Sequence, residues 1–203
     1  MAAGTSYQRP PSARAAGAAY YDSTLGKFVD SNGTYWQDRA GNQIGNLLTV
    51  NEALQGQAVS GYWSPTNATV ARSRSVVPTG RMTSLQITSS ASGDLYALVT
   101  RGLAVTAGTT YSVAVRSFQA VGTARNFYPA ILWHPASSTN FGTALSSGSG
   151  VWTTANVLTA TAPASQTTAS IGVYIVAAAA SNEIFYATEV CFSVGTITDY
   201  MEP

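Results

Sequence analysis

Apolar and polar positions alternate through most of the chain. Thr110 to Phe118 carries Tyr111, Val113, Val115 and Ser117 at one parity and Ser112, Ala114 and Arg116 at the other. Ala169 to Val176 alternates around Ile171, Val173 and Ile175. A period of two puts successive side chains on opposite faces of a sheet, so both runs predict strands. Similar runs, bounded by Gly, Ser, Asn and Pro, predict strands at 68–76, 82–89, 94–105, 110–118, 127–133, 156–161, 169–177 and 184–194. No amphipathic helix longer than a turn or two emerges. Ala177 to Ala180 is helical by propensity, but its place between two strands argues for a strand end or loop. The expectation for residues 46–203 is an all-β domain, a jelly-roll sandwich of about eight strands.

Residues 1–45 have a different texture, with Pro10, Pro11, repeated Gly and Ala, and short aromatic clusters. Asp30-Ser31-Asn32-Gly33 is a turn signal between Lys27-Phe28-Val29 and Thr34-Tyr35-Trp36. The pattern predicts an extended arm leading into a β-hairpin. A lone hairpin is marginal in water. Tyr20, Tyr21, Leu25, Phe28, Tyr35 and Trp36 are therefore expected to be covered by a partner protein or by sister subunits. On this reading residues 1–45 form an attachment arm and residues 46–203 a separate domain.

Charge refines the picture. Only 9% of the 203 residues are charged, against about 25% in an ordinary domain. Lys27 is the only lysine, and the formal net charge is +1. Nothing in that balance would draw the protein to nucleic acid. Arg72, Arg74, Arg81, Arg101, Arg116 and Arg125 share a stretch whose only acid is Asp94, and 126–182 has no Asp, Glu, Lys or Arg. The arginines form either a basic face for an acidic partner or scattered surface positions. Cys191, the only cysteine, sits in an alternating run and reads as a buried small apolar residue. The opening Met-Ala-Ala-Gly-Thr-Ser lacks the features of a secretory signal, and the apolar run Ile171 to Ala180 is too short to span a bilayer. Synthesis in a cytoplasm is expected, without membrane insertion.

Candidate chemistry is sparse. A glycosidase needs two facing carboxylates, and the central domain offers only Asp94, Glu183 and Glu189 in plausible places. A Ser-His-Asp triad would rest entirely on His134, the sole histidine, which reads as a structural strand end in Trp133-His134-Pro135. Zinc sites need more His or Cys, and no Gly-rich phosphate loop follows a strand. No catalytic residue, metal ligand or cofactor is assigned. Sugar recognition has more material: Tyr96, Phe127, Tyr128 and Trp133 are candidate stacking rings, with Arg125, Asn126 and Asn140 nearby in sequence. Strand alternation must bury about half of such rings.

Two resemblances add to this. Arg9-Pro10, Gly17-Ala18, Tyr20-Tyr21-Asp22-Ser23-Thr24-Leu25-Gly26-Lys27-Phe28-Val29 and Asn32-Gly33-Thr34-Tyr35-Trp36 resemble a segment of bacteriophage tail-fibre, head-fibre and minor tail proteins. Asn46 to Asn51, Tyr62-Trp63, Ser84 to Thr88, Leu103 to Val113, Val151-Trp152, Ala162-Pro163 and Ile184 to Phe192 resemble the jelly-roll carbohydrate-binding modules. That family often has paired Asp before its last strand; Tyr186-Ala187-Thr188-Glu189 departs from this pattern. The resemblances imply a non-enzymatic virion structural protein that decorates the capsid surface through its arm and displays the sandwich outward. The implied partners are the phage major capsid protein or tail proteins, with homotrimerisation. The alternative they imply is a minor tail or receptor-binding protein that takes a host cell-surface glycan.

Overall fold

The computed structural model describes residues 2–4, 18–22, 27–31, 36–37, 43–44, 46–48, 52–53, 61–100, 102–119, 125–135, 138–142, 145–147, 150–178 and 182–197. β1 (Ala2–Gly4), β2 (Ala19–Asp22), β3 (Lys27–Ser31), β4 (Trp36–Gln37) and β5 (Gln43–Ile44) make one small sheet in chain order. β1 runs parallel to β2, and the other pairs are antiparallel. The lead-in is thus a paired strand. The expected hairpin is also shifted: β3 continues through Asp30 and Ser31, which pair with Gln37 and Trp36. The turn signal therefore begins inside the ladder, because two more residues of β3 find backbone partners.

The remaining strands are β6 (Trp63–Thr66), β7 (Ala68–Ser73), β8 (Ser84–Ser89), β9 (Gly93–Val99), β10 (Leu103–Ala104), β11 (Thr110–Gln119), β12 (Arg125–His134), β13 (Ser138–Phe141), β14 (Leu145–Ser147), β15 (Asn156–Thr161), β16 (Thr168–Ala178) and β17 (Ile184–Val194). They form two facing sheets, one ordered β13-β12-β16-β9-β6 with β10 and β14 alongside, the other β15-β11-β17-β8-β7. The all-β sandwich follows from the alternation seen in sequence. The expected strand 68–76 starts at a corner: Asn67 takes a left-handed φ of 54° as the chain crosses from β6 in one sheet to β7 in the other. Asparagine tolerates that conformation better than most residues.

Between the sheets lie Leu85, Ile87, Val113, Phe185 and Phe192 from one side and Leu95, Phe127, Ile131, Trp133 and Ile175 from the other, all buried. Tyr111 joins the layers: its ring stacks on Phe192 at 5.2 Å and meets Trp133 edge-on at 6.2 Å. Each such ring contributes about 1.5–3 kcal/mol by leaving water. β11 is buried on both faces from Tyr111 to Val115. Its outer Ala114 packs with Cys191 under Val157 and Ile197. The chain after β17 folds back there, with Ser112 Oγ donating to the Gly195 carbonyl at 2.7 Å. Cys191 is buried with Ala114, in agreement with its small apolar role.

One buried acid organises the outer side of that sheet. The β11–β17 register slips between Ala114 and Arg116, and Glu189 has a left-handed φ of 52° within the slipped stretch. Glu189 accepts from Arg81 at 2.7 Å through one oxygen and from Arg116 at 3.3 Å through the other. Both carboxylate oxygens face guanidinium groups, so the stretch that departs from the paired-Asp pattern does not suit a metal ion. Arg125 meets Glu183 through two bonds of 3.1 and 2.7 Å. Three of the six clustered arginines are therefore held by acids, which argues against one continuous basic face. Arg101 lies outside the described residues.

Candidate functional site

Parity along β12 sorts its aromatics. Phe127, Ile131 and Trp133 point into the core, and Tyr128 points out with Leu132 and His134. Phe127 is 1% exposed and Trp133 0%, so neither offers a ring face to a ligand. This corrects the sequence-based candidate list, and the reason is strand alternation itself. Trp133 is further tied down by donating its indole N–H to Asn140 at 2.6 Å.

Tyr96 and Tyr128 do share a face, with Tyr174 between them. Tyr128 pairs with Tyr174 across β12 and β16, and Tyr174 pairs with Tyr96 across β16 and β9. Three phenols thus form one transverse row, half-buried on the outer side of the sheet. Phe141 joins from β13 and is 40% exposed. Its ring stacks on Tyr174 at 4.5 Å, and Tyr174 stacks on Tyr96 at 4.6 Å. Tyr128 leans against both Phe141 and Tyr174, at 6.1 and 5.8 Å. The middle ring has neighbours on both faces, so Tyr96 and Phe141 are the ends of the stack.

Asp94 stands beside the row on β9. Tyr174 donates its hydroxyl proton to Asp94, and Asn67 Nδ2 holds the Asp94 carbonyl at 2.9 Å. The corner residue thus fixes the backbone that carries the carboxylate. The bond to Asp94, then burial, raise the Tyr174 phenol well above the usual tyrosine value. Burial, then the Asp94 charge, raise Tyr96 as well. At neutral pH both hydroxyls are protonated and uncharged. Ring faces flanked by hydroxyl donors and acceptors suit an amphipathic ligand such as a sugar, whose C–H face stacks and whose hydroxyls hydrogen-bond.

Sequence reading missed Tyr174 and Phe141. Tyr174 was detectable: it sits at the outward parity of the run that buries Ile171, Val173 and Ile175. Phe141 lies in a Ser/Thr/Asn-rich stretch with no such signal. His134 lies on the same face, with Nε2 3.0 Å from Ser170 Oγ. Among the described residues no group of three or more His, Cys, Asp or Glu could hold a metal, and no helix is long and apolar enough to cross a membrane.

Of the ring set expected for attachment, Tyr20 is buried at 2% exposure against Val29 and Ala18. It is covered by its own chain and needs no partner. Tyr21 is half-buried. Leu25 and Tyr35 lie outside the described residues, as do the side chains of Phe28 and Trp36.

No family model and no curated protein matches the chain. Solved structures do. A xylan-binding domain from CBM 22 superposes with a TM-score of 0.58 at 17% identity, over 76% of this chain and 98% of its own. The C-terminal family 22 carbohydrate-binding module of Clostridium thermocellum Xyn10B gives 0.56 at 18%, over 80% and 99%. The enzymatically active domain of bacteriophage CBA120 tailspike protein 4 gives 0.53 at 13%, over 74% of this chain but 21% of that one. The chain therefore has the β-sandwich fold of carbohydrate-binding modules.

Proposed function

We propose that this protein is a non-catalytic glycan-binding component of a phage particle. Residues 1–45 attach it, and the outer face of the β13-β12-β16-β9-β6 sheet meets a host surface polysaccharide. The observation that carries this reading is the row of Tyr96, Tyr174, Tyr128 and Phe141 on one outward face. A sandwich needs no such row for its core. Its fold is shared with a domain titled as xylan-binding and with part of a phage tailspike, which supports both halves of the proposal. The resemblance of the first segment to phage fibre proteins supports attachment to a particle, as virion-surface localisation requires.

A glycan array probed with the folded protein and with a Tyr96→Ala/Phe141→Ala double variant tests the reading. Binding by the parent, weakened about ten-fold or more in a folded variant, is expected by analogy with a nucleic-acid base, whose stacking on one aromatic ring is worth about 1–3 kcal/mol. Absence of binding by the parent overturns it. The small sheet of residues 2–44, with its own Tyr20–Val29 cluster, favours a second reading in which attachment is the main task. There homotrimers decorate the capsid through contacts with the major capsid protein. Counting copies per purified virion separates the two: hundreds indicate the capsid, a handful the tail.

A further inference from the structure

We propose that the aromatic row grips a glycan chain at two separated sugars, so that it takes a long linear glycan and not a terminal sugar. This rests on the glycan-binding reading above. The rings stand as a ridge. Tyr174 meets Phe141 at 4.5 Å with planes 25° apart, and Tyr96 at 4.6 Å with planes 23° apart. Rings lying flat side by side could not come so close, so these meet face to face. Tyr174 therefore keeps only its edge for a ligand, and the open faces belong to the end rings. Tyr96 turns its other face toward β6, an edge strand whose paired residue is the small, exposed Thr66. Phe141 lies on β13, at the opposite edge of that sheet, and is 40% exposed although Tyr174 covers one of its faces.

The spacing of the rings sets the length of chain. Intervals of 4.5 and 4.6 Å put the end rings at most about 9 Å apart. A sugar packed on each free face lies about 3.5–4.0 Å farther out, so the two sugars stand about 16 Å apart. One ring sugar and its linkage, built from single bonds of about 1.5 Å, span about 5 Å, so bridging the ridge takes about three linkages and at least about four sugars. A disaccharide reaches one end only. In a longer chain the second contact becomes intramolecular once the first is made, and the reach of the sugars between decides whether it forms. Those middle sugars pass over ring edges and stack on nothing.

The test is a length series: β-1,4-linked oligomers of xylose and of N-acetylglucosamine, each from two to six units, titrated against the full chain by NMR. A step of about ten-fold or more in affinity is expected between three and five units, with little gain before or after it. Phe141→Ala should weaken the six-unit chain to within about two-fold of the two-unit affinity, because only one end remains to be gripped. The same variant should leave two-unit binding within about two-fold of the parent's, which also reports that it is folded. Tyr96→Ala should act alike from the other end. Affinity that climbs evenly from two units, or a six-unit chain that Phe141→Ala leaves as tight as the parent's, overturns the spanning rule alone. Failure of every oligomer to bind overturns the rule together with the glycan reading beneath it.

Discussion

Phe141 lies face to face with Tyr174 at 4.5 Å although β12 runs between their strands. Adjacent strands are about 4.8 Å apart, so the ring must reach across one whole strand. The positions between explain how. Phe141 pairs with Ala130, and Ala130 with Gly172, so the floor beneath the ring carries a methyl group and then nothing. Two small residues let the fourth ring close the stack.

Gly172 has a second reason to lack a side chain. A Cβ there would stand 2.1 Å from the Ala97 carbonyl oxygen and 2.9 Å from the Leu98 Cα. The β9 backbone must move to admit it. Gly172→Ala is expected to destabilise the sandwich by about 1–3 kcal/mol or somewhat more, as overpacked cores do. Urea unfolding measures this; a melt equal to the parent's would show that β9 and β16 yield freely.

Alkaline titration isolates the phenol–carboxylate pair. Tyr174 is raised above the ordinary tyrosine value, first by its bond to Asp94 and then by burial. The unfolded chain ionises this phenol at the ordinary value, whereas the folded chain keeps the proton. The pair's stabilisation is thus fully present below about pH 10 and is lost as pH rises beyond it. Absorbance at the phenolate band should show a tyrosine that resists ionisation until the protein unfolds. Asp94→Asn should move that tyrosine toward the ordinary range by removing the charge, while burial still holds it above.

Glu189 sits almost fully buried, with 8% of its side chain exposed, between Arg81 and Arg116. Glu189→Gln removes the negative charge from between two guanidinium groups. Breaking a buried pair costs about 3–5 kcal/mol, and the partial exposure of both arginines lowers the expectation to about 2 kcal/mol. Loss of under about 0.5 kcal/mol in chemical denaturation would mean that water takes over both partners. Because the cations are built in, a chelator should leave the melting temperature of the parent unchanged.

Truncation tests where the sandwich begins. Asn46 accepts from the Leu48 and Phe192 N–H groups and donates to the Val190 carbonyl, and Leu48 and Ala53 belong to the core. Removing residues 1–45 should leave a cooperatively folding sandwich. Removing 1–53 should lower its stability by several kcal/mol, since it strips core side chains and a buried amide together. Thermal melts of both proteins decide this, and equal melts would refute the assigned border.

The long strands were legible because their pattern repeats often enough to be read. β15, β17 and most of β11 and β16 fall where alternation places them. β6, β13 and β14 were not: they are three or four residues long, β6 contains Pro65, and the others are made of Ser, Thr, Asn and one aromatic or leucine. Such strands exist because β9 and β12 offer them an edge, a fact of tertiary pairing rather than of local sequence. The binding face was half legible for a related reason. Parity separates Tyr128 from Phe127 and Trp133, but which strands lie side by side decides that Tyr96, Tyr128 and Tyr174 meet.

The clamp at Asn46 also has a mechanical side. It ties the chain to Val190 and Phe192 on β17, the middle strand of its sheet, and the Leu47 N–H adds a bond to the Phe192 carbonyl at 2.6 Å. Tension pulled through the first sheet enters the sandwich at its centre, where strands on both sides share it, instead of peeling an edge strand away. A protein held at one end and gripping a surface with the opposite sheet would carry load along that path.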